Sequence, residues 1–352
     1  MNELLQQLSD ADAIAGREKE VRNILRHEMG EYCDEIQYDH LGSICFKNNG
    51  TETNPVRIMF SAHMDEVGFF VRHIADNGFV YLIAVGGVLD KSKEMQKVRI
   101  TTQYGMKIPG ILNVTKNDAG KVKDMYVDVG CETAEDIMEL GIQIGDMVTF
   151  ASESYEMAQL GVTCGKAMDD RTGCYVLSKA IKTIYDTKPK SDIWMVGSSS
   201  EEVGTRGGKT AAEQVKADVV IAVDVANNPE LVKNYTNHRL LSKGCMVLHY
   251  DKTMIPNEKF LQYVKKIARE KNISIQEDMF SGGGTDCCNA HLIGNGKLAL
   301  VIGIPLRYCH ASWSLVHEKD LESAIQLVCE IALQMGRKEY ESFLNFGSVK
   351  NL

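Results

Sequence analysis

Two adjacent carboxylates, Glu201 and Glu202, close the apolar run "IWMVGSSSEE" and are followed at once by a glycine-rich turn, "VGTRGG". At ~4 Å and an effective dielectric of ~20, two unit charges repel by ~4 kcal/mol, so the pair needs a counter-charge or open water. Three other apolar runs lead to residues able to hold a metal ion: "VRIMFSAHMDE" to His63 and Asp65, "VVIAVDVAN" to Asp224, and "LALVIGIPLRYCH" to His310. A fifth stretch, "GKAMDDRTGCYVL", sets Asp169 and Asp170 directly before a helical pattern, where acidic residues also serve as caps. Asp224, inside an apolar strand, is costly to bury without a partner. Two histidines, several carboxylates and no cysteine form a hard or borderline donor set suited to zinc, cobalt or manganese.

Such a set has enough donors to serve two ions. If two divalent cations share one carboxylate among three, about one positive charge remains, and a hydroxide between them brings the cluster near neutrality. Cations ~3.5–4 Å apart lower the pKa of the water between them and polarise a carbonyl. A carboxylate that is not a ligand would take the water's proton and return it to a leaving amine. On an extended segment Glu201 and Glu202 would point to opposite sides, so one can face metal and the other water.

The elements that position these residues read as strands alternating with helices. Val176, Leu177, Ala180, Ile181 and Ile184 have helical spacing, as do Phe260, Leu261, Val264, Ile267 and Ala268. The opening 30 residues read as two short helices parted at Gly16, with Leu4, Leu5 and Leu8 on one apolar side and Val21, Ile24 and Leu25 on the other. Continuous apolar strands between helices predict an α/β fold with a buried sheet, whose ligand crevice lies beyond the strands' carboxyl ends. From about Phe69 to Gly161 the pattern changes to short β-like runs broken by Gly and Asp, with a helical interlude near "TAEDIMELG". That predicts a small β-rich domain at 69–161 inserted into a catalytic domain made of 1–68 and 162–352.

The composition bounds the alternatives. The chain has 352 residues, 44% of them hydrophobic, and a net charge of −9, which with a pI near 5.6 argues against a nucleic-acid partner. No apolar stretch reaches the ~18–20 residues of a membrane span, and the charged opening does not read as a signal peptide, so a cytoplasmic protein is expected. The 10 cysteines include no CxxC pair and read as reduced core thiols. His73, His238, His249, His291 and His317 have no partner that the sequence names, and "SGGGTD" reads either as a flexible turn or as backbone approaching substrate near Thr285 and Asp286.

"SAHMDEVGFFV", "AMDDRTG", "SSEEVGTRG", "AVDV", "SGGGTD" and "IPLRYCH" resemble, in order and over almost the whole chain, the signatures of the tetrahedral-assembly (TET-type) metallo-aminopeptidases. This is the glutamyl aminopeptidase or FrvX-like family, some of whose members carry endoglucanase names. The resemblance implies two divalent ions per subunit, zinc or cobalt, with His63, Asp169 and Asp224 on one and Asp169, Glu202 and His310 on the other. It implies Glu201 as general acid/base, Asp65 accepting a hydrogen bond from the second ring nitrogen of His63, and a strained, often cis, peptide at Asp170. A zinc-peptidase α/β domain with a mixed sheet, a barrel- or PDZ-like dimerisation insert, dimers assembling into a hollow tetrahedral dodecamer, and peptides with a free N-terminus as substrates follow from the same likeness. Two segments depart from the family: "HASWSLVH" brings in Trp313 after His310, and the insert carries "VGGVLDKSKEMQKV" where relatives show Trp-Asp-Pro and Leu-Pro-Gly-Gln. A related metal amidohydrolase or deacylase, a two-carboxylate glycoside hydrolase and a non-catalytic assembly protein are the alternatives. An acidic substrate preference would require a basic pocket, which the sequence does not assign to Arg206, Arg307 or any lysine.

Overall fold

The computed structural model describes residues 2–228 and 239–347. Among the described residues, eleven strands form one mixed sheet. Its centre is parallel: Asp192–Ser198, Arg57–His63, Val219–Asn228 and Leu298–Arg307 lie side by side in that order. Antiparallel strands extend it on both sides, Ile44–Asn48 and Glu35–Tyr38 beyond Asp192–Ser198, and Ser314–His317, Val162–Gly165 and Tyr155–Glu156 beyond Leu298–Arg307.

The central strands read as continuous apolar runs because both faces are covered. Ile58, Phe60, Val219, Ile221, Leu300 and Ile302 face the larger core, with the helices Met168–Thr187, Glu258–Glu270 and Glu318–Gln334 and the N-terminal helices Glu3–Asp10 and Lys19–Met29. Met59, Val220, Ala222, Ala299 and Val301 alternate with them and face the smaller core under Arg206–Gln214 and Cys287–Ala290. The helical spacings of the sequence thus fall on buried faces, and the two opening helices are joined by a connector in which Gly16 has a φ of 76°.

Strands between Gly68 and Phe150 close a separate six-stranded antiparallel barrel. Alternate residues such as Phe69, Val71, Val80, Leu82, Val98, Ile100, Val148 and Phe150 fill it. The pair Tyr155–Glu156, inside the stretch expected as the insert, hydrogen-bonds instead to Val162–Gly165 of the large sheet. Among the described residues no helix is long and apolar enough to cross a membrane.

Pairing between Arg57–His63 and Val219–Asn228 stops at Ser61 and Ala222. Asp224, two residues on, therefore lies in mid-strand where its neighbour has parted from it, and not at a strand end as its apolar run suggested. The opening between diverging parallel strands is where the candidate residues collect.

Candidate metal centre

Asp169 is the hub. Its Oδ1 lies 2.9 Å from His63 Nε2 and its Oδ2 lies 3.3 Å from His310 Nε2, so its two oxygens face two imidazoles, one at the end of Arg57–His63 and the other in the turn that follows Leu298–Arg307. His310 Nε2 is also 3.3 Å from Glu202 Oε2. Among the described residues, three overlapping groups have donor atoms within 4.8 Å of one another: His63, Asp169 and Glu202; His63, Asp170 and Asp224; and Asp169, Cys309 and His310. His63, Asp169, Glu201, Glu202, Asp224 and His310 all line one cleft of about 730 Å³, with Thr205, Phe280 and the "SGGG" backbone on its walls. The Asp169–Asp170 peptide is cis.

The supporting residues differ from expectation in two ways. The second ring nitrogen of His63 meets the backbone carbonyl of Asp65 at 2.9 Å, whereas the Asp65 carboxylate stands 3.6 Å away. That carboxylate, fully buried, instead accepts the amides of Glu201 (3.0 Å) and Glu202 (3.1 Å), one on each oxygen. Nor do the two glutamates sit on an extended strand: Asp192–Ser198 has ended, Ser200 has φ 59°, and the amides of Gly204 and Thr205 bond back to the Glu201 carbonyl. A turn anchored on Asp65 presents both side chains to one cleft. Asp170 accepts the His63 amide (3.2 Å) on Oδ2 and the Gly173 amide (2.9 Å) on Oδ1, fastening the strand end to the helix start.

The barrel reaches this cleft as well. A Cβ on Gly86 would meet Glu202 at 3.3 Å and one on Gly87 would meet His310 at 3.1 Å, so both glycines allow a close approach. The amide of Leu89 bonds to the His310 carbonyl at 3.1 Å.

The electrostatics are those of acid groups short of counter-charge. Burial, reinforced by Asp169, pushes the Glu202 carboxyl up to about 8. Burial and Asp169 likewise push Asp224 up to about 7. Burial lifts Glu201 well above the ordinary range against the pull of His63, with Asp224 and Glu202 adding to it. Against its burial, Asp169 is held well below the carboxylate range by His310 and His63. Against its own burial, His310 is raised to about 9 by Asp169. Glu202 Oε1 is buried without any hydrogen-bond partner. An orphaned carboxylate oxygen among imidazole and carboxylate donors fits a divalent cation, which would satisfy it and supply the missing positive charge.

Some residues of the cleft escaped the sequence reading. Cys309 is not a core thiol: its Sγ is 2.9 Å from Asp169 Oδ2 and it lines the cleft, so a thiol stands among the carboxylates and imidazoles. Its neighbour His310 masked it, because adjacent residues of a strand face opposite ways. Arg239 also lines the cleft, where it packs over the Phe280 ring and pairs with Asp278 at 2.8 Å. Of the two residues after the glycines, Thr285 lines the cleft, while Asp286 lies buried and accepts Ser198 Oγ at 2.6 Å. The other histidines have local roles: His249 pairs with Glu277, His291 with the Cys287 carbonyl, His317 caps a helix and His73 stacks near Tyr81. His238 lies outside the described residues.

Comparison with known proteins follows the same lines. The profile of the M42 glutamyl aminopeptidase family matches residues 42–327. The chain is 32% identical to the putative aminopeptidase FrvX of Escherichia coli, over 99% of each chain. Among solved structures, the TET aminopeptidase of the marine sediment archaeon Thaumarchaeota archaeon SCGC AB-539-E09 superposes with a TM-score of 0.92 at 32% identity, covering 97% of this chain and 99% of that one. The TET1 peptidase of Pyrococcus horikoshii, described as assembling into a tetrahedron or a large octahedral shell, gives 0.84 at 25% identity, covering 95% and 99%. With a metal-fitting cleft, a matching family profile and relatives aligned end to end, the chain belongs to the M42 glutamyl aminopeptidase family of metal-dependent peptidases.

Proposed function

We propose that this protein is a two-metal aminopeptidase that removes the N-terminal residue from peptides. The observation that carries the reading is the carboxylate of Asp169, with one oxygen toward His63 and the other toward His310. His63, Asp169 and Asp224 would hold one ion, and Asp169, Glu202 and His310 the other, zinc or cobalt in each case. Bound there, two divalent cations would lower the pKa of a water and polarise the scissile carbonyl. Glu201, on the same cleft but outside both donor sets, takes the water's proton and delivers it to the departing amine. Asp65 acts through position: by accepting both glutamate amides it fixes the proton carrier and a ligand in one register.

Residues 69–161 are read as an inserted dimerisation domain within a catalytic domain of 1–68 and 162–352. Likeness to shell-forming peptidases supports assembly of dimers into a homo-oligomer, with the dodecamer as the expected form. Cytoplasmic residence is part of the same reading. The test is a pair of peptides identical except for N-acetylation, assayed with zinc or cobalt and with chelator. Metal-dependent release of the first residue from the free peptide alone supports the proposal. Equal cleavage of the acetylated peptide would make the protein a deacylase, and chelator-insensitive turnover would remove metal from the mechanism.

A further inference from the structure

We infer that Cys309 is a sulfur donor to the second cation, completing a donor set of Asp169 Oδ2, Glu202, His310 Nε2 and Cys309 Sγ. The inference rests on the two-metal reading above and concerns a residue type that the carboxylate and imidazole set does not include.

Donors that share one zinc ion, bound at about 2.0–2.3 Å each, lie roughly 3–4 Å from one another. The contacts here have that spacing: Sγ of Cys309 to Asp169 Oδ2 is 2.9 Å, and His310 Nε2 to both Asp169 Oδ2 and Glu202 Oε2 is 3.3 Å. Cys309, Asp169 and His310 form a group of mutually close donor atoms. Independently of the cysteine, Glu202, with a side chain only 4% exposed, holds an unpartnered buried oxygen at the same cleft. A divalent cation held in the cleft would satisfy that oxygen.

The backbone explains how neighbouring residues can share one ion. Successive side chains of a strand face opposite ways. Tyr308 and His310 on either side of Cys309 have φ of 65° and 59°, in the left-handed region, and both Cys309 and His310 line the cleft. Here the thiol donates a hydrogen bond to Asp169 Oδ2. On metal binding the thiol proton leaves to solvent and the thiolate takes the cation in its place, with no change of oxidation state. A thiolate is softer than the other donors, so it biases the second position toward zinc or cobalt and away from magnesium and manganese.

Cobalt reports the bond directly, because a thiolate ligand adds an intense sulfur-to-cobalt charge-transfer band in the near ultraviolet that oxygen and nitrogen donors do not give. The full-length protein, stripped of metal, is titrated with Co(II), and uptake is followed by metal analysis alongside the spectrum. The expected result is that the band grows with one of two bound ions, is absent in Cys309→Ser and Cys309→Ala, and that both variants hold that ion about tenfold or more weakly. Two bound ions without the band, or a band that survives in both variants, would overturn the assignment of Cys309 and leave the two-metal reading standing. Failure of the folded protein to take up cobalt would overturn both. The wild-type spectrum decides the matter even if one variant folds poorly.

Discussion

Two dense clusters of buried charge lie back to back in this molecule. Asp12, Glu66, Lys166 and Arg171 are each at most 2% exposed and are balanced by one another. Lys166 Nζ reaches Glu66 at 2.5 Å and Asp12 at 3.3 Å, Arg171 reaches Glu66 at 3.1 Å and the Met64 and Leu8 carbonyls at 2.9 and 2.6 Å, and the barrel's Arg99 closes on Asp12 at 2.6 Å. The cleft on the other side of the same loops has the opposite economy. Glu201, Glu202, Asp169 and Asp224 crowd there, and Arg239 on its wall is committed to Asp278. The two environments meet at adjacent residues: Asp65 beside Glu66, and Asp170 beside Arg171. A chain that supplies cations to one cluster and withholds them from the next leaves the second with the charge balance that a divalent cation fits.

Four experiments would sharpen or break that contrast. The largest effect is expected for Glu201→Gln, which removes the proton carrier and leaves both donor sets intact. Turnover should fall by about 10²–10⁴-fold while bound metal, measured by elemental analysis, stays at wild-type level. Retained turnover would assign the proton to another group. Next comes Asp12→Ala, which leaves Lys166 buried with one anion fewer. Denaturant unfolding should show a loss of about 3–5 kcal/mol. Against its burial, Asp12 is held well below the ordinary carboxylate range by Lys166 and Arg99. Its stabilising contribution is therefore present above the ordinary carboxylate pKa and lost as pH falls toward the lowered value, so the wild type's advantage over Asp12→Ala should shrink in acid.

The smallest effect has the opposite sign. In metal-free protein, Asp224→Asn should raise stability by about 1 kcal/mol at pH 8, because it relieves repulsion among carboxylates, while metal uptake is lost. Glu202, Asp224 and His310 all titrate upward in the fold, to about 8, 7 and 9. The native state thus binds more protons than the unfolded chain, and metal-free stability should decline as pH rises through 7 to 9. Saturation with zinc should flatten that decline. Scanning calorimetry of loaded and stripped protein across this range measures it, and parallel curves would mean that the cleft is not short of positive charge.

Much of this was legible beforehand because period and spacing are local properties. The continuous apolar run of "VRIMFSAH" states that both faces of its strand will be buried, the 3.6-residue spacing of Val176, Leu177, Ala180, Ile181 and Ile184 states which face of a helix will be, and all of these are buried. His63, Asp169, Glu201, Glu202, Asp224 and His310 were visible as chemistry-bearing residues within or beside such runs, and one cleft gathers them. Less visible was the barrel's approach through Gly86 and Gly87, since two glycines in an insert signal only a turn until Glu202 and His310 stand against them.

By itself the sequence determined the strands, the helices and the identities of the donors, since each depends on residues near one another in the chain. Only the tertiary structure decided who holds whom. Asp65 gives its carbonyl to His63 and its carboxylate to the glutamate turn, Asp170 ties a strand to a helix, and Cys309 faces Asp169 beside His310 instead of packing in a core. Such assignments turn on left-handed φ values and on strands that part after Ala222, and all of them except the contact between His63 and Asp65 join residues more than a hundred positions apart. Hydrogen-bond partners are set by direction within a few tenths of an ångström, which no pattern of residue types encodes.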